Sequence, residues 1–103
     1  MLDRSVPKSH QAFDSGNLKK EAGRWLRSRR EYLGLSQRDL ARRIQIDYYT
    51  FISQIEAGRG RVPADRLLVW AKALELESDI FAKKLMGFYD PHTYAMIFGQ
   101  KKD

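Results

Sequence analysis

The sequence predicts an all-α fold, five helices in one compact domain with a short additional C-terminal helix. Three observations predict it. Apolar residues recur at spacings of three and four, as in Leu67, Trp70, Ala71 and Leu74. Cap signals bracket the same stretches: Ser36 before Gln37-Arg38-Asp39, Gly34 and Gly58 after apolar runs, Asp90-Pro91 before the last one. A chain of 103 residues with 43% hydrophobic content suits one domain and one modest core, not two.

In chain order, residues 1–16 hold turn formers and mixed charge without periodicity, and read as a flexible arm. Arg4 and Lys8 could reach a minor groove from there, although a disordered end with no specific role is the preferred account of them. The domain proper is expected over 17–88. Helix 1 spans 17–33, with Leu18, Ala22, Trp25, Leu26 and Leu33 on its apolar side and Gly34 closing it. Trp25 reads as core; Arg24, Arg27 and Arg29 should be solvated or near phosphate.

Two short helices follow within 36–57. Ser36 caps the first, with Asp39 completing a capping box, and Leu40, Ala41 and Ile44 form its apolar stripe. The second is expected over 48–57, with Tyr48, Phe51, Ile52 and Ile55 inward and Gly58 at its end. Pro63 fits the first turn of helix 4, which runs to Leu74. Ser78 caps helix 5, where Ile80, Phe81, Leu85 and Phe88 face inward. Helix 6 runs from Pro91 to Phe98 and is strongly apolar for a chain end. Residues 89–103 are therefore a candidate dimerisation element: Tyr94, Ile97 and Phe98 either pack back on helix 5 or meet a second copy.

The other side of the 48–57 helix is the informative one. Tyr49, Thr50, Ser53, Gln54 and Ala57 recur there as small groups and uncharged hydrogen-bonders, where a merely solvated face usually carries Lys and Glu. Cations frame them, Arg38, Arg42 and Arg43 before and Arg59 and Arg61 after. Side chains in the DNA major groove must match base-edge donors and acceptors while cations neutralise phosphates. An ordinary surface helix pair in a small basic bundle is the bland alternative. The charge distribution argues against it. The chain carries a net +6, and residues 18–62, with eleven Lys or Arg against five Asp or Glu, hold the whole excess. Concentrated basicity marks a polyanion binder. A basic membrane-surface helix would need a broad apolar face among its cations, and here the arginines flank a polar one.

Leu35-Ser36-Gln37, Leu40-Ala41 and Ile52-Ser53-Gln54-Ile55-Glu56-Ala57-Gly58, followed by a basic turn and Pro63, resemble the phage-repressor-like (Xre/Cro-like) helix-turn-helix transcriptional regulators. The resemblance runs from about Leu18 to Leu85. Gln45 stands where the family usually has Gly, and the turn is one residue longer, which leaves Asp47 and Tyr48 as alternative caps of the second helix. The resemblance implies a compact five-helix repressor-like DNA-binding domain acting on double-stranded DNA. It also implies an ion pair between Arg30 and Glu56 that holds Arg30 beside a phosphate. Members of such families bind as dimers with recognition helices about 34 Å apart, so a homodimer on a (pseudo)palindromic operator is expected. The cellular setting is expected to be cytoplasmic and nucleoid-associated, in a prokaryote or phage.

On this reading Tyr49, Thr50, Ser53 and Gln54 contact bases, with Gln54 suited to adenine, and Gln37, Arg38, Arg30, Arg59 and Arg61 contact phosphates. The glycines of Gly58-Arg59-Gly60-Arg61 let backbone approach a ligand closely, although the stretch also suits a simple mobile connection. No catalytic set is expected: the two histidines are far apart, and no nucleophile–base pair or phosphate-binding glycine motif occurs. No metal or cofactor is expected either, since His10 has no ligand neighbours and cysteine is absent. No apolar run approaches the ~20 residues of a membrane span. Two alternatives remain, an antitoxin-like autorepressor whose apolar tail holds a protein partner, and an adaptor that contacts protein or RNA.

Overall fold

A computed structural model describes residues 15–99. The arm expected over 1–16, with Arg4, Lys8 and His10, lies outside the described residues except for Ser15 and Gly16. Those two belong to the first helix. The helices are α1 (Ser15–Tyr32), α2 (Gln37–Arg43), α3 (Thr50–Glu56), α4 (Leu67–Ala73), α5 (Ser78–Tyr89) and α6 (Pro91–Phe98). A 3₁₀ turn, Ala64–Arg66, precedes α4.

α1 packs on α3 and α5, α2 on α3, and α5 on α4 and α6. Their inner faces share one core, in which Leu26, Leu40, Ile44, Ile52, Ile55, Val62, Trp70, Leu74, Phe81 and Leu85 are buried. Burying each such side chain stabilises the fold by about 1.5–3 kcal/mol. Trp25 packs at the edge of this core, its ring 5.8 Å from Phe81 and 6.4 Å from Phe88.

Four helices stop in the same way. The backbone N–H groups of Leu35, Ile46, Arg59 and Leu76 donate to Arg30, Ala41, Gln54 and Ala71 oxygens at 2.9–3.1 Å, across one residue of positive φ in each case. Glycine supplies that φ at Gly34 and Gly58, but Gln45 (φ 61°) and Glu75 (φ 59°) supply it elsewhere. An L side chain there costs roughly 1–2 kcal/mol. Three arginines satisfy the carbonyls these ends expose. Arg29 donates to Leu74 and Glu75, Arg43 to Ala73, and Arg66 to Ile44. Arg29, expected to be solvated or near phosphate, and Arg43, one of the cations expected to frame the polar face, are thus fastened to the end of α4.

Several boundaries differ from expectation. α3 begins at Thr50 with Tyr49 as its N-cap, so neither Asp47 nor Tyr48 caps it, and no side chain supplies a cap bond. Its buried positions are Ile52, Ile55 and Glu56. At about 100° per residue this centre pushes Phe51 to the flank, where it is 40% exposed, and Tyr48, ahead of the helix, is 75% exposed. Both were expected inside. Ile80 is exposed as well, because the inner line of α5 runs through Phe81 and Leu85. Ser78 is the first residue of α5, with Glu77 at the cap, and Pro63 caps the 3₁₀ turn rather than opening α4.

The cap of α2 is as expected. Asp39 N–H donates to Ser36 Oγ at 3.0 Å while Ser36 N–H donates to Asp39 Oδ2 at 2.8 Å. The Ser36 backbone bond, with its hydroxyl and Arg42 adding, holds the Asp39 carboxyl below its usual range. A lowered folded pKa means stability present above the unfolded pKa and lost as pH falls through the folded one. The melting difference between the wild type and Asp39→Ala should therefore be full at pH 7 and narrow steadily below the ordinary carboxylate range. A difference independent of pH would remove the charge from the cap.

Candidate nucleic-acid interface

α2 and α3 meet across the six-residue connection 44–49, and one interaction fixes their relation to α1. Glu56, on the last turn of α3, accepts from Arg30 Nε at 2.7 Å and Arg30 Nη2 at 2.9 Å, and from Gln37 Nε2 at 3.0 Å. Arg30 Nη1 donates to Leu35 O at 2.7 Å. The Arg30 and Glu56 side chains are only 8% and 4% exposed. The Glu56 hydrogen bond raises the Arg30 pKa against the desolvation that would lower it, so the guanidinium stays charged. Of the two roles expected of Arg30, strut and phosphate neighbour, the geometry supplies the strut. Gln37 is likewise half-buried and spends one amide N–H on Glu56, which ties the start of α2 to the end of α3.

Gly23 was not singled out by sequence, yet it sets the closeness of α1 and α3. A Cβ on Gly23 would overlap the Glu56 carbonyl oxygen, lying 2.6 Å from its carbon and 2.8 Å from Ile55 O. Gly58 is similar: its φ is 81°, and a Cβ there would come within 2.8 Å of Lys20 Cα. A glycine inside an apolar helical stretch costs about 1 kcal/mol. That cost was the available signal for Gly23.

On the outer side of α3, Tyr49, Thr50 and Gln54 are exposed and Ser53 is half-exposed. Arg38 lies over the Tyr49 ring at 4.9 Å. Arg59 Nε donates to Gln54 Oε1 at 2.8 Å, which orients the amide while leaving its two N–H groups and a second lone pair. Ser53 Oγ donates back to Thr50 O at 3.0 Å, so its hydroxyl offers only acceptor capacity outward. Arg38 and Arg42 border a hollow of about 330 Å³ ahead of α3, with Tyr48, Tyr49 and Thr50 on its other side. Tyr49, Thr50, Ser53, Gln54, Arg38 and Arg59 are thus brought to one outer surface.

Arg61, two residues after Arg59, has contacts of its own. It pairs with Asp90 at 2.8 Å and lies 4.5 Å over the Tyr89 ring. Asp90 caps α6 by position yet makes no cap bond with its side chain. Burial pushes the Tyr89 hydroxyl above its ordinary value, opposed by the Val62 N–H that donates to it at 3.2 Å. The α5–α6 elbow therefore grips the basic loop. On α6, Tyr94 is half-buried, its ring tilted against that of Phe98 at 5.0 Å and beside Gly87 of α5, while Ile97 (60%) and Met96 (86%) remain exposed. Part of the helix packs on its own domain and part faces outward.

Two helices joined by a short turn, one outer face polar and framed by arginines, describe a known architecture. A family model described as a helix-turn-helix domain matches residues 21–79, more than half of the chain. The chain belongs to this helix-turn-helix family. The match spans α1 to the start of α5, and it is consistent with the resemblance to phage-repressor-like regulators. No curated protein matches the chain. A helix-turn-helix domain suggests a DNA-binding regulator, and domains of this family are typically non-enzymatic. Among the described residues no helix is long and apolar enough to cross a membrane, and no group of three or more His, Cys, Asp or Glu could hold a metal ion.

Proposed function

We propose that the protein is a sequence-specific double-stranded DNA-binding transcriptional regulator, a cytoplasmic repressor that binds a (pseudo)palindromic operator as a homodimer. The observation that carries this reading is the outer face of α3, where Thr50 and Gln54 stand exposed between Arg38 and Arg59, while the one acidic side chain of the helix, Glu56, is buried on the other face. α3 enters the major groove. Tyr49, Thr50, Ser53 and Gln54 read bases, and Gln54, its amide oriented by Arg59, bonds adenine. Arg38, Arg59 and Arg61 hold phosphates, with Gln37 at the edge of that set, and Arg30–Glu56 is the strut behind them. Residues 17–88 form the DNA-binding unit and 89–103 the dimerisation element, with Tyr94, Ile97 and Phe98 at the seam. The exposed Met96 and Ile97 also suit an antitoxin-like protein that holds a partner on its tail. Co-purification of a protein that is lost on Ile97→Asp would favour that version.

The test compares two variants on a duplex selected from a randomised library and on random duplex. Gln54→Ala should cost about 1–3 kcal/mol on the selected site and little on random DNA, whereas Arg61→Ala should weaken both alike and reduce the salt slope by about one. For a dimer neutralising about six to ten phosphates, wild-type affinity should fall roughly 10³- to 10⁵-fold between 50 and 200 mM salt. Equal losses on both duplexes for Gln54→Ala would move that residue to the phosphate set. Absence of salt-dependent duplex binding would end the DNA reading.

A further inference from the structure

Tyr48 and Phe51 have no part in the reading above. They belong to no core: they are 75% and 40% exposed, and neither joins the buried cluster or its partly buried neighbours. Phe51 precedes Gln54 by three residues, so the two side chains are neighbours on α3. Tyr48 and Phe51 together line a second hollow of about 410 Å³ beside Ile46 and Arg66. Two large apolar rings therefore stand at the flank of a polar, cation-framed face, where leaving them wet is unfavourable unless a partner covers them.

We infer that Tyr48 and Phe51 form the apolar half of base recognition and take up the C5-methyl groups of thymines in the major groove, next to the adenine bound by Gln54. The thymine methyl is the apolar feature that base edges present in that groove, and it projects from the same base pair whose adenine offers N6 and N7. A ring three residues from an adenine-binding amide is therefore placed for the methyl of that pair or its neighbour. The inference rests on the major-groove reading of α3, and the experiment separates the two.

Duplexes enriched from a randomised library by the full chain are remade with deoxyuridine replacing thymidine at single positions. Uracil keeps every hydrogen-bonding group and loses only the methyl, so contacts of Gln54 and the arginines are unchanged. The wild type should lose about fourfold in affinity per methyl removed at one or two positions in each half-site. Phe51→Ala should bind the thymine duplex more weakly and no longer distinguish it from the uracil duplex; Tyr48→Ala provides the same comparison at the other ring. The wild-type uracil series needs no variant, so it stands even if a substituted chain folds poorly. Equal wild-type affinity for thymine and uracil duplexes at every position, with the enriched site still preferred, would overturn the inference and leave the DNA reading intact. Undiminished uracil sensitivity in both variants would also overturn it. Failure to enrich any sequence would instead sink the DNA reading.

Discussion

Glu56→Ala is expected to cost about 3–5 kcal/mol of stability and to abolish tight duplex binding together. The substitution removes the acceptor of three hydrogen bonds and leaves the Arg30 charge buried without its partner. For a domain of this size, such a loss lowers the melting temperature by on the order of 15 °C or more. Binding falls with it, because the same carboxylate joins α1 to the end of α3 and, through Gln37, to the start of α2. Replacing both charged partners at once, Arg30→Met with Glu56→Leu, should cost far less, since no unpaired charge remains. Thermal melts of the three chains check this. Unchanged melting with unchanged affinity in Glu56→Ala would remove the pair from its structural role.

Gly23→Ala carries the next largest effect, and its sign is diagnostic. At an ordinary helical position the change stabilises by roughly 0.5–1 kcal/mol, because glycine has the higher entropic cost. Here the added methyl meets the backbone of Glu56 and Ile55, which cannot rotate away as a side chain would. α1 must back off α3, and overpacking of this kind costs typically 1–3 kcal/mol or more. The displacement also shifts the Arg30–Glu56 pair, so affinity for a selected duplex should fall further than the loss of folded protein explains. Denaturant unfolding with a parallel titration measures both. A gain in stability would show that the two helices are not held at that distance.

Much of the fold was legible because caps and periodicity encode it locally. Ser36 with Asp39, the glycines at 34 and 58, and the 67–74 stripe each specify a local geometry that the packing then accepts. Where the reading failed, the deciding contact was remote. Phe51 looked internal by periodicity, but the third buried position of α3 belongs to Glu56, which no apolar pattern registers. Gln45 departs from the usual glycine, yet adopts positive φ all the same, with Ile46 N–H bonded back across it to Ala41. The charge excess of residues 18–62 could not say which of its cations are free: Arg29, Arg30 and Arg43 all bond protein acceptors within the domain. The exposed face of α3 was legible for a different reason. Polar side chains at helical spacing on a two-turn helix leave no other element to cover them.

The most direct test of the major-groove reading is amide chemical-shift mapping of the full chain titrated with its library-selected duplex. Shifts should concentrate at Gln37–Arg38, along Tyr49–Ala57 and at Arg59–Arg61, and should saturate at the stoichiometry of one dimer per two-fold site. A chain that binds the duplex with α3 amides unmoved, its shifts confined to α5 and α6, would contradict it.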